Sequence, residues 1–97
     1  MTLTGRQKQQ LFGRAQRLKP VVIVGGAGLN DGVLQEIERA LEHHELIKVR
    51  VNAADRAGRE QLIERICAAS GANLVKRVGH VATLFRRNPG HPVVPLS

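Results

Sequence analysis

Lys19-Pro20-Val21-Val22-Ile23-Val24-Gly25-Gly26-Ala27-Gly28-Leu29-Asn30 reads as a short strand, a glycine loop and a helix cap in immediate succession. Val21 to Val24 is β-branched throughout and has glycines behind it, which predicts a strand buried on both faces. The loop has little side-chain bulk to keep another molecule from its backbone. Its N–H groups, with those of the first helical turn, suit a phosphate. Asn30 is a good N-cap, and Leu29 and Leu34 are spaced as a hydrophobic staple across it. Val33, Leu34, Ile37, Leu41 and His44 mark the inward face of the helix that follows.

Upstream, Thr4 and Gln7 have capping-box spacing. Leu11, Phe12, Ala15 and Leu18 then lie on one face of a helix, which Pro20 ends. Arg6, Lys8, Arg14 and Arg17 occupy its other faces. Downstream, Leu46 to Val51 alternates, with Ile47, Val49 and Val51 on one side and Lys48 and Arg50 on the other. Strand, helix and strand at this spacing predict a parallel crossover. Asp55 caps a third helix, with Leu62, Ile63, Ile66 and Cys67 inward and Gly71 as its stop. Leu74 to Val78 and Val81 to Arg86 are strands, joined at Gly79-His80 by a type II′ hairpin. The order α-β-α-β-α-β-β is that of a small two-layer α/β domain with a four-stranded mixed sheet. Residues 1–87 form this domain. The segment 88–97, with Pro89, Gly90, Pro92 and Pro95, reads as a flexible tail outside the fold.

Charge is unevenly placed along the 97 residues, which carry a net +7. Residues 1–30 hold five basic and no acidic side chains, residues 31–45 one and five, and residues 67–97 four and none. One helix is acidic and its surroundings are basic, which fits a protein with one anion-facing side. With two phenylalanines and no Trp or Tyr, there is hardly a stacking platform for bases, so recognition should rest on backbone and shape. A bare loop beside Arg6, Lys8, Arg14, Arg17 and Lys19 suggests a nucleic-acid backbone as the partner. Lys48, Arg50, Lys76, Arg77, Arg86 and Arg87 extend this patch if strand order allows.

Other chemistries find little support. No Gly-Lys-Ser/Thr follows the loop, and Asp31 stands where a dinucleotide fold has its third glycine. His43, His44, His80 and His91 are not set at metal-ligand spacing, and Cys67 reads as a core thiol. Glu36, Glu38, Glu42 and Glu45 read as a solvated face. No Ser/His/Asp set or paired carboxylates stand out, so neither an enzyme, a cofactor nor a small-molecule substrate is expected. The longest apolar run is too short for a membrane, and the single cysteine and absence of a signal-like start point to the cytoplasm.

Arg6-Gln7-Lys8-Gln9, Leu18-Lys19-Pro20-Val21-Val22, Gly25-x-x-Gly28-Leu29, Gly32-Val33-Leu34-x-Glu36-Ile37 and Ala40 to Val49 together resemble bacterial YhbY-like proteins. These are stand-alone CRM domains, an RNA-binding module also found in plant organelle splicing factors. The resemblance covers roughly residues 3–87. It implies a four-stranded sheet packed on helices, similar to the C-terminal domain of bacterial translation initiation factor three. It also implies RNA binding through the G-x-x-G loop and adjacent basic surface, on ribosomal RNA or precursors of the large ribosomal subunit. The expected RNA contacts are Arg6, Lys8, Arg14, Arg17, Lys19, Gly25, Gly26, Ala27, Gly28, Leu29, Asn30, Lys48 and Arg50. Family members often have Lys or a polar residue at the middle loop positions. Here Gly26 and Ala27 stand there, so Lys19 and the first helix are expected to supply the charge. The protein is expected to act as a monomer. The alternatives are a general RNA-backbone binder and a module that docks on the ribosome through its acidic helix.

Overall fold

The computed structural model describes residues 2–26 and 28–97. Its elements are α1 (Gly5–Ala15), β1 (Pro20–Val24), α2 (Asp31–His44), β2 (Leu46–Val51), α3 (Arg56–Ser70), β3 (Asn73–Val78) and β4 (Val81–Phe85). All three helices begin as their sequences predict. The Thr4 hydroxyl accepts from the Gln7 N–H while the Gln7 side chain accepts from the Thr4 N–H. Asn30 and Asp55 accept from Val33 and Gly58. Each cap satisfies an amide that the helix itself leaves without a partner. Gly71 ends α3 at φ +73, where a side chain would be strained. Gly79 has φ +59 and His80 does not share a positive φ, as a type II′ hairpin requires.

The sheet order is β1-β2-β4-β3, with β1 and β2 parallel and the other pairs antiparallel. Strand alternation divides its two faces. Val22, Val24, Ile47, Val49, Val51, Ala82 and Leu84 face α2 and α3, where Ile37, Leu41, Ile63 and Ile66 complete the main core. The sequence suggested two layers, but helices cover both faces of the sheet and make three. The opposite face carries α1, whose Leu11 and Ala15 pack with Leu46, Val75 and Phe85 in a second cluster.

That helix packs on β2, β3 and β4, so the edge strand β1 is not buried on both faces. Val21 and Ile23 are 51% and 60% exposed. A β-branched run looks the same whether one face or two are covered, which is why the sequence suggested full burial.

The junction of α2 and β2 also departs from expectation. His44 is exposed, and Glu45, read as solvated, is fully buried. Glu45 lies at φ +61 and reverses the chain in a single residue, so β2 starts directly after the helix. Its carboxylate accepts from Arg87 Nη1 at 3.0 Å and from the backbone N–H groups of Asn88, Val93 and Val94. The Asn88 side-chain amide donates to the Leu41 and Glu42 carbonyls at the end of α2. Val94 and Leu96 pack on the second cluster, and Ser97 meets Gln7 and Gln10 of α1. The segment 88–97 is therefore fastened to the fold rather than standing outside it. Its Pro/Gly composition excludes helix and strand, but it does not prevent backbone amides from converging on a buried carboxylate.

Burial disfavours the charged form of Glu45, but the amides of Asn88, Val94 and Val93 and the Arg87 guanidinium outweigh it, holding the carboxyl below its ordinary value. A folded value below the unfolded one means that Glu45 contributes stability above the unfolded pKa, and that this is lost as pH falls through the folded one. Thermal melts should show the wild type losing stability steeply below about pH 4.3, with a shallower loss in Glu45→Gln. Parallel profiles would contradict this.

Candidate nucleic-acid interface

The glycine loop lies at the C-terminal end of β1. Gly25 is half-buried and Gly26 exposed, and a Cβ on either would meet nothing within 4 Å. Gly28 takes φ +77 and donates its N–H to the Gly25 carbonyl at 2.9 Å. The loop thus closes on itself through a conformation that favours glycine. Ala27 lies outside the described residues. Leu29 packs against the main core, and Asn30 is occupied as the α2 cap, so both position the loop. In the first turn of α2, Asp31 adds a carboxylate that opposes a phosphate arriving there. A nearby cation is needed to offset it.

The structure places that cation on β2. Arg50 pairs in register with Ile23, two residues before the loop. Its Nε donates to Asn52 Oδ1 at 3.2 Å, and the Asn52 N–H donates to the Val24 carbonyl at 2.9 Å. Lys19, expected to supply the loop's charge, lies at the other end of β1. Five residues of strand, about 3.3 Å each, separate it from the loop. The distance follows from strand geometry, whereas proximity in sequence suggested a single cluster.

Two cross-sheet rows join these ends. Pro20, Lys48, Thr83 and Lys76 are successive register partners, and so are Ile23, Arg50, Val81 and Val78. Both rows lie on the face that carries α1. Lys48 is half-buried and Arg50 exposed, and Lys76 Nζ stands 4.6 Å from the centre of the Phe12 ring. Arg6, Lys8 and Arg14 on α1 and Arg17 and Lys19 after it are all exposed. The site residues expected from sequence thus form a track rather than one pocket. The loop and Arg50 are at one end, Lys48 and Lys76 are between, and Lys19 and α1 are at the other.

The remaining strand cations do not extend it. Arg86 reaches Glu38 at 2.6 Å and the Ser70 carbonyl at 2.9 Å. Arg87 holds Glu45 and the Val94 carbonyl, and Arg77 lies 3.9 Å from Glu60. By contrast, Arg6, Lys8, Arg14, Arg17, Lys19, Lys48, Arg50 and Lys76 make no ion pair among the described residues. Every side-chain carboxylate belongs to α2, α3 or their caps. The α1 side of the sheet therefore carries cations without side-chain carboxylates, whereas α2 and α3 mix the carboxylates with cations such as Arg39 and Arg65. Sequence reasoning placed Lys48 and Arg50 on one strand face but left their companions open. Strand order and register supply Lys76, Ile23, Val78 and Thr83.

The chain was compared with known proteins. The family model of the CRS1/YhbY (CRM) domain matches residues 3–86. A Haemophilus influenzae protein named RNA-binding protein is 51% identical over 85 residues, covering 88% of this chain and 86% of that one. A Pseudomonas aeruginosa protein named as a probable RNA-binding protein is 47% identical over 89 residues, covering 92% and 86%. The solution structure of a Staphylococcus aureus hypothetical protein matches with a TM-score of 0.80 and 31% identity, covering 90% of this chain and 91% of that one.

Proposed function

This chain belongs to the CRS1/YhbY (CRM) domain family, and we propose that it binds RNA through the α1 side of its sheet. The observation that carries this reading is the sorting of charge. The cations on that side make no ion pair among the described residues, and α1 and the four strands carry no side-chain carboxylate, so a polyanion meets attraction along the track. The Gly25–Gly28 loop receives one or two phosphates, with Arg50 as the adjacent cation. Lys48 and Lys76 continue the contact toward Lys19, Arg17 and α1. Relatives named for RNA binding support RNA over DNA as the polyanion.

The proposed substrate is ribosomal RNA within precursors of the large ribosomal subunit, in the cytoplasm, with the protein acting as a non-catalytic assembly factor. Ultraviolet crosslinking of the tagged protein in living cells tests this. Reads clustered in large-subunit RNA, enriched in unprocessed precursor, are the expected result. Reads scattered over messenger and transfer RNA in proportion to abundance would make the protein a general backbone binder and remove the assembly role.

A further inference from the structure

The track is not uniformly polar. Its second row sets one cation among three hydrocarbon side chains, and Ile23 and Val78 are 60% and 55% exposed on either side of Arg50 and Val81. Phosphates gain nothing from such a surface. Beside it, α1 and the sheet enclose a groove of about 250 Å³ lined by Phe12, Gln16, Pro20, Lys48, Val78, Val81 and Thr83. Phe12, Pro20, Val78 and Val81 give it apolar walls, and Gln16, Lys48 and Thr83 add polar groups. Thr83 lies in the floor, only 2% exposed, and its hydroxyl has no hydrogen-bond partner among the described residues. That hydroxyl is open to a ligand that enters the groove. Gln16 spends its amide N–H on the Phe12 carbonyl and keeps its oxygen free.

We infer that this groove seats an unpaired nucleobase of the bound RNA, with Ile23 and Val78 carrying its neighbours. The inference rests on the RNA-binding reading and narrows it to single-stranded segments. Duplex RNA shows a protein its phosphates and 2′-hydroxyls, while its base faces are stacked away. It could neither fill the groove nor cover the hydrocarbon row. An unpaired strand does both while its phosphates meet Lys48, Arg50 and Lys76. The sheet is about 14 Å across at the spacing of its strands, room for roughly two or three bases. The scarcity of aromatic residues does not exclude this, because the flat surface is built from β-branched side chains and the one ring, Phe12, forms the groove wall. Thr83, Gln16 and Lys48 offer both donors and acceptors to the base edge.

The test is equilibrium binding of the full chain to a labelled single-stranded RNA of mixed sequence and to a duplex of the same length. The variants are Val78→Ser, Gln16→Ala and Thr83→Val. The first two positions are exposed, so folding should be unaffected, and thermal melts check this. We expect the single strand to bind at least about tenfold tighter than the duplex. Val78→Ser should weaken it about fivefold, from the lost apolar contact, with an unchanged salt slope because no phosphate contact is removed. Thr83→Val and Gln16→Ala should change the order of preference among homopolymers. Equal binding of duplex and single strand, with Val78→Ser and Gln16→Ala at wild-type affinity, would overturn the groove while leaving the cationic track intact. Failure of the wild type to bind either RNA would overturn the RNA reading and the groove with it.

Discussion

Glu45→Ala should destabilise the protein by about 3–5 kcal/mol, the usual cost of removing one partner from a buried ion pair. The loss is not confined to one bond. Arg87 would keep a half-buried guanidinium with no carboxylate, and the amides of Asn88, Val93 and Val94 would lose their acceptor. For a domain with total stability of roughly 5–15 kcal/mol, this is a large fraction, and the melting temperature should fall by more than about 12 °C. Urea titration measures it directly. Glu45→Gln keeps an acceptor oxygen and should fall between the two. A loss below about 1 kcal/mol in Glu45→Ala, the size expected of an exposed pair, would mean that the clasp does not form in solution.

The double reversal Lys48→Glu with Arg50→Glu should reduce affinity for RNA by about 100-fold or more at moderate salt. Each change removes a charge-assisted contact and places a carboxylate in its position. Neither cation has an ion-pair partner among the described residues that the change would strand, so stability should be little altered. The matched reversal on the other face, Arg39→Glu with Arg65→Glu, alters net charge equally on α2 and α3, where both residues are exposed. It should leave affinity within about threefold, since charges beyond a Debye length of roughly 8–10 Å are screened. Equal losses from the two pairs would show attraction to net charge alone, without a defined face.

Much of the fold was legible because local signals agreed with it. The caps at Thr4, Asn30 and Asp55 and the stop at Gly71 are set by hydrogen bonds within a few residues, and all form as their sequences predict. The alternation of Ile47, Val49 and Val51 against Lys48 and Arg50 likewise survives in β2. What was not legible depends on distant partners. Glu45 reads as one more acid on an acidic helix until Arg87 and the amides after it are brought alongside. Lys19 reads as the loop's cation until β1 is drawn out to its length. Lys76, Val78 and Thr83 could not be assigned to the α1 face before strand order and the register shift between Leu74 and Lys76 were known. The site's charge was therefore visible in composition, but its assembly into rows depended on pairing.

The most direct measurement is the salt dependence of RNA affinity for the wild type and for Lys48→Gln with Arg50→Gln. Each phosphate contact on a single strand contributes about 0.7 to the slope of log affinity against log salt. Binding through the α1 side predicts that the slope falls by about 1.4 in the double variant, with a matching loss of affinity at low salt. An unchanged slope and affinity would place the RNA elsewhere and contradict the account.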